Sequence, residues 1–238
     1  MRIYILRHCE SAVMRWRMQN PDAQIVVGEY LPDSAVPISN LGEEQREALS
    51  LYFAALPESE RPTHGFSSPF TRTVQTGEGA LSRLPSPVVL IADERLREIE
   101  FGIFAELTKK GRAAKFPAQW EERRKVGKVN YRPEGGENWH DIAERFLSFQ
   151  KECIDCLPDD AVVLIATHEN VVSISQWKWG GGDVNVLARE GVPSASITTY
   201  DYTGGKFTLL SKNVLPPSPT GKDLFSMEDK EKDLPVVV

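Results

Sequence analysis

Arg7 and His8 follow directly on an apolar run, Ile3-Tyr4-Ile5-Leu6, and Cys9 and Glu10 come next. Two further turns carry related side chains. Arg72 lies in SSPFTRTVQT, and His168 closes the apolar run of AVVLIATHEN. A carboxyl group is offered by Glu98 in ERLREIEFG. Singly, each has an ordinary structural explanation, since a histidine at a strand end is often just a satisfied polar group and an arginine early in a helix is often solvated. Taken together they compose a phosphate site: a cationic cluster with an imidazole nucleophile and a carboxylic acid.

The surrounding pattern places these residues where a site is built. Residues 2–6 and the apolar run within AVVLIATHEN read as fully apolar strands, and both end in a histidine-bearing turn. Between them, ISNLGEEQREALSLYFAAL predicts a helix capped by Ser39 or Asn40. A second helix is predicted from Pro69, and a strand within PVVLIADERL. NWHDIAERFLSFQKECIDCL predicts one amphipathic helix that buries Ile142, Phe146, Phe149 and Ile154. ASITTYDYTGGKFTLL predicts a hairpin across Gly204-Gly205. Strands alternating with amphipathic helices predict an α/β layer fold with a mostly parallel sheet. In such sheets ligands bind beyond the carboxyl ends of the strands, where both histidines fall. Residues 1–213 are expected to form a single domain. Segments 12–37 and 105–132 are expected to be insertions or lids, the first of them irregular. Residues 214–238 are expected to be a flexible or surface-draped tail.

Composition narrows the classes. A net charge of −6 argues against nucleic-acid binding through bulk positive charge. No apolar run approaches the roughly 20 residues that span a bilayer, and no signal peptide is expected from the N-terminal residues. Three cysteines do not suggest a disulfide framework, so a cytoplasmic location is expected. Cys153 and Cys156 form a C-x-x-C pair late in a predicted helix, the wrong place for a redox motif. His64 and His140 are read as structural.

Five stretches in this order, LRHCES, SSPFTRTVQT, LREIEFG, PEGGENWHDIAERF and VVLIATHEN, resemble the histidine phosphatase superfamily, its phosphoglycerate-mutase-like branch. The resemblance implies a three-layer α/β/α sandwich. It implies that His8 forms a phosphohistidine, that Arg7, Arg72 and His168 hold the phosphate, and that Glu98 protonates the leaving group. Glu137 and Asn138 match a family turn with a structural role. Physical chemistry agrees with these roles. Arginine forks match the oxygens of a phosphomonoester, which carries about −1.5 to −2 charges at neutral pH. Neighbouring arginines keep an imidazole neutral, and burial keeps a carboxylic acid protonated. Because arginines supply the clamp, no metal or other cofactor is expected.

Three positions depart from the family pattern. Cys9 and Glu169 stand where glycine is usual, and Met14 stands where a phosphate-contacting asparagine is common. Cys9 either tucks away or lines the pocket. Glu169 is expected to turn outward or to pair with an arginine. Arg15 is a candidate pocket residue in the basic stretch MRWRMQN. The chain after Glu98 is closer to the phosphatases than to the mutases. The expected partner is therefore a small phosphorylated metabolite, with no nucleic acid and no membrane, and an oligomer is possible. The rival readings are a phosphoprotein phosphatase, a phosphoglycerate mutase, and a phosphate-binding protein with little catalysis.

Overall fold

The computed structural model describes residues 1–24 and 31–224. Six strands among them form one sheet: β1 Arg2–Arg7, β2 His64–Ser67, β3 Leu90–Ala92, β4 Val162–Thr167, β5 Ile197–Thr203 and β6 Lys206–Val214. The order is β3-β2-β4-β1-β5-β6. All pairings from β3 across to β1 are parallel, and β5 runs antiparallel to both of its neighbours. The helices in chain order are α1 Ala12–Gln19, α2 Asn40–Ala55, α3 Thr71–Leu81, α4 Lys109–Lys115, α5 Pro117–Val126, α6 Trp139–Phe149, α7 Glu169–Lys178 and α8 Val184–Leu187.

The twofold period of a strand decides which residues meet which helices. Ile3 and Ile5 of β1, with Val163 and Ile165 of β4, join the cluster built on Trp139, Ile142, Phe146 and Phe149 of α6 and Val171 of α7. Tyr4, Leu6, Leu164 and Ala166 face the other way, onto Leu49 and Phe53 of α2 and Leu81 of α3. Strands apolar on both faces need helices on both faces, and three layers result.

The sequence reading differs from the structure in three places. Residues 12–37 are not wholly irregular, because Ala12–Gln19 is a helix capped by the Ser11 hydroxyl. That helix buries only Met14, so no apolar stripe marks it. The helix predicted from Pro69, α3, starts instead at Thr71, since Phe70 keeps an extended backbone. The helix from Trp139 does not run on as a regular one: after Phe149 it widens into a π turn, Gln150–Ile154. The wider turn keeps Ile154 fully buried five residues after Phe149.

Residues 25–30 of the predicted insertion and 225–238 of the predicted tail lie outside the described residues. The tail that is described returns to α2, where the Gln45 side-chain amide donates to the Leu224 carbonyl at 2.7 Å.

Candidate active site

The pairing of β1 with β4 sets Arg7 opposite Thr167, so His8 and His168 leave the sheet side by side. The His8 amide donates to the Thr167 carbonyl at 2.8 Å, and the two imidazole centroids are 5.2 Å apart. On the other side of β4, the Ser68 amide bonds to the Ala166 carbonyl at 3.0 Å. This carries the chain into α3, which presents Arg72. Three parts of the sequence thus converge at the carboxyl ends of three neighbouring parallel strands. Arg7, His8, Arg72 and His168 are all buried.

Hydrogen bonding fixes the tautomer of each histidine. His8 Nδ1 lies 2.7 Å from the Cys9 carbonyl, which can only accept, so Nδ1 carries the proton and Nε2 keeps its lone pair. His168 Nε2 lies 2.9 Å from Ser68 Oγ, and that oxygen already accepts from the Phe70 amide at 3.3 Å. The Ser68 hydroxyl is therefore poised to donate to Nε2, which leaves the proton of His168 on Nδ1. Nδ1 is buried and has no hydrogen-bond partner among the described residues. It is a buried N–H with no protein acceptor among the described residues.

Both rings stay neutral. Burial pushes the His8 pKa well below its ordinary value near 6.5, and the Arg72 and Arg7 charges push it further down. Burial lowers His168 in the same direction, followed by Arg72 and His8. The consequence for stability has a definite sign. In the unfolded chain both histidines titrate near 6.5. Below that pH the unfolded state binds more protons, so the stability present at neutral pH is lost as the solution is acidified. The slope approaches about 1.4 kcal/mol per pH unit for each histidine. Urea midpoints are expected to fall between pH 7 and 5, and to fall less steeply in the His8→Asn/His168→Asn double variant. Equal steepness in both proteins would refute this assignment.

The arginines are anchored from below. Arg7 donates to the Val192 carbonyl and pairs with Glu169 at 3.3 Å. Arg72 lies over the Phe70 ring, with its guanidinium carbon 4.9 Å from the centroid. It also forks onto Asp33, with NH2 to Oδ2 at 3.0 Å and NH1 to Oδ1 at 3.3 Å.

Glu98 is oriented through a chain of donors. The Trp139 indole N–H donates to Asn170 Oδ1 at 3.1 Å, and an indole can only donate. Asn170 must then present its NH2 to Glu98 Oε1, at 3.0 Å. The Ile99 amide donates to the same oxygen at 2.9 Å. With Oε1 accepting twice, Oε2 is the oxygen left to carry a proton. Burial raises the Glu98 pKa above the ordinary carboxylate range, and Glu169 adds to that against the lowering donors and Arg72. The backbone of this turn is held by Arg145, which donates to the carbonyls of Arg95 at 2.6 Å and Glu98 at 3.2 Å while pairing with Glu137 at 3.1 Å. Glu137 also accepts from the Glu100 amide at 3.0 Å. A Cβ at Gly136 would lie 2.6 Å from the Glu100 carbonyl, so only glycine lets this turn approach so closely.

Of the residues singled out in the sequence, His8, His168, Arg7, Arg72 and Glu98 come together. Cys9 does not line the pocket: its side chain is fully buried in the cluster with Leu49 and Phe53, and burial pushes its thiol up to about 12. A pyramidal Cα at a strand end must send its side chain to one face, and here that face is the core under α2. Arg15 folds back onto the buried Glu10 carboxylate at 2.8 Å. Cys153 and Cys156 are free thiols, and Cys153 sits 3.3 Å from Arg95. Ser68, Asn170, Arg145 and Asp33 were not anticipated from the sequence. Their contacts with Arg72, Glu98 and His168 span 39 to 100 residues, and no local signal marks such contacts.

Helices thus cover both faces of a mostly parallel sheet that carries paired histidines and arginines at its carboxyl edge. The family model for the histidine phosphatase superfamily (branch 1) matches residues 3–215, and the chain belongs to that family. Similar solved structures include the alpha-ribazole phosphatase of Shigella flexneri. That structure has 18% identity and a TM-score of 0.69, with 90% of this chain and 96% of that chain covered. A mycobacterial glucosyl-3-phosphoglycerate phosphatase, solved with inorganic phosphate, has 22% identity and a TM-score of 0.70, covering 90% and 98%. Bacillus stearothermophilus YhfR has 20% identity and a TM-score of 0.70, covering 90% and 97%. No curated protein sequence matches the chain. Among the described residues, no helix is long and apolar enough to cross a membrane.

Proposed function

We propose that the protein is a metal-independent phosphatase that hydrolyses a small phosphomonoester through a phosphohistidine on His8. The observation that carries this reading is the His8 tautomer. Its Nδ1–H is committed to the Cys9 carbonyl, so Nε2 offers a lone pair within the field of Arg7, Arg72 and His168.

In the first step Nε2 attacks phosphorus, the P–O ester bond breaks, and Glu98 Oε2 gives its proton to the departing alkoxide. The arginines and the His168 Nδ1–H stabilise the equatorial oxygens as charge builds on them. In the second step the Glu98 carboxylate takes a proton from water as that water attacks phosphorus. The N–P bond then breaks, its electron pair returns to Nε2, and inorganic phosphate departs. Two of the similar structures are phosphatases of different phosphorylated compounds, alpha-ribazole phosphate and glucosyl-3-phosphoglycerate by their names, which supports the reaction type and leaves the leaving group open.

The test is incubation with p-nitrophenyl phosphate labelled at phosphorus, in the presence of a chelator. Turnover, together with an acid-labile, alkali-stable label on the protein in quenched samples, is the expected result. Loss of activity in chelator, or a label that survives acid, would overturn it.

A further inference from the structure

Resting on that reading, we infer that Asp33 is an internal competitor of phosphate for Arg72, and that its return to the guanidinium helps expel the product. Its carboxylate engages NH1 and NH2 as a fork at 3.3 and 3.0 Å, the bidentate arrangement a phosphate edge would take. The Arg72 side chain is only 6% exposed, whereas that of Asp33 is 63% exposed. A buried guanidinium without a counter-charge is strongly unfavourable, so some anion must sit there before the substrate does. His8 and His168 are 4% and 0% exposed, so a substrate reaches them only if a covering group gives way. Asp33, exposed and at the amino end of a short 3-10 turn, can leave by rotating its side chain. The backbone that follows stays fixed, because the Pro37 carbonyl accepts from the Ala12 amide at 2.9 Å and the Ile38 amide donates to Gln75 at 3.0 Å.

Removing the Asp33 charge has two opposed effects on phosphate. Loss of competition tightens binding, and loss of orientation of Arg72 weakens it. Orientation survives the change, since the Phe70 ring and the Asp33 backbone carbonyl, 2.6 Å from NH1, hold the guanidinium independently. Competition therefore dominates. A charge-assisted pair of this kind corresponds to about a tenfold change in apparent affinity.

The experiment measures inhibition of p-nitrophenyl phosphate hydrolysis by inorganic phosphate in the wild type and four variants. In Asp33→Asn the phosphate Ki and the KM are expected to fall together by about tenfold. Asp33→Glu, which restores the charge, is expected to stay near the wild-type values. Glu44→Gln removes one surface charge elsewhere and is expected to leave Ki within about twofold of wild type. An unchanged or raised Ki in Asp33→Asn, with native circular dichroism, overturns the inference, as does an equal fall in Glu44→Gln. Arg72→Ala separates the two readings. If it retains wild-type phosphate inhibition, the proposed phosphate clamp itself fails. If it loses that inhibition while Asp33→Asn shows no tightening, only the competitor role fails.

Discussion

His8→Asn is expected to lower kcat/KM for p-nitrophenyl phosphate by at least about 10⁴-fold, the scale on which removal of a covalent nucleophile acts. Asparagine is the informative replacement because its NH2 occupies the place of Nδ1 and can still donate to the Cys9 carbonyl. The turn keeps its shape while the nucleophilic Nε2 is lost. Binding of inorganic phosphate should persist, since Arg7, Arg72 and His168 remain. Calorimetry of phosphate binding, beside the rate, then separates chemistry from recognition. A variant that turns over within tenfold of wild type would refute the phosphohistidine. Wild-type protein that binds phosphate and never turns over would favour the phosphate-binding alternative.

The second large effect is expected at Glu98, and it depends on the leaving group. An alkyl phosphate releases a strongly basic alkoxide, so Glu98→Gln should slow its cleavage by about 10² to 10⁴-fold. Nitrophenolate needs no proton to leave, so the first step should stay fast with p-nitrophenyl phosphate. The second step, which needs a carboxylate to activate water, should not. The expected record is a burst of one equivalent of nitrophenolate followed by slow release, with labelled protein accumulating. In the wild type, kcat for an alkyl phosphate should fall as rising pH removes the Glu98 proton, above the ordinary carboxylate range because burial raises that titration. Absence of the burst, or equal losses on both substrates, would show that Glu98 has neither role.

How much of this could be read in the residues alone differs from element to element. β1 and β4 were legible because a strand buried on both faces leaves an uninterrupted apolar run. The histidines ending those runs marked the place where a site forms. α6 was legible through Ile142, Phe146 and Phe149, but its π turn was not, since a pattern of buried positions does not reveal a locally wider helix. α1 was hidden because one buried residue, Met14, makes no period. At the site, the groups that meet phosphate in the proposed mechanism were visible and the groups that aim them were not. Ser68, Asn170 and Arg145 set the tautomer, the protonated oxygen and the turn through contacts that exist only once the layers have packed. Cys9 was ambiguous for a related reason. A small side chain at a strand end can face core or cleft, and only the approach of α2 decides between them.

The central place of β1 has a consequence for how the molecule is made. It leaves the ribosome before the other five strands of the sheet, yet its neighbours on either side are Val162–Thr167 and Ile197–Thr203. Until those late segments emerge, β1 has neither hydrogen-bonding partner, and the edge that carries His8 and His168 cannot assemble. Acquisition of activity should therefore lag behind synthesis of β5, and a holdase that shields nascent β1 should raise the yield of active protein.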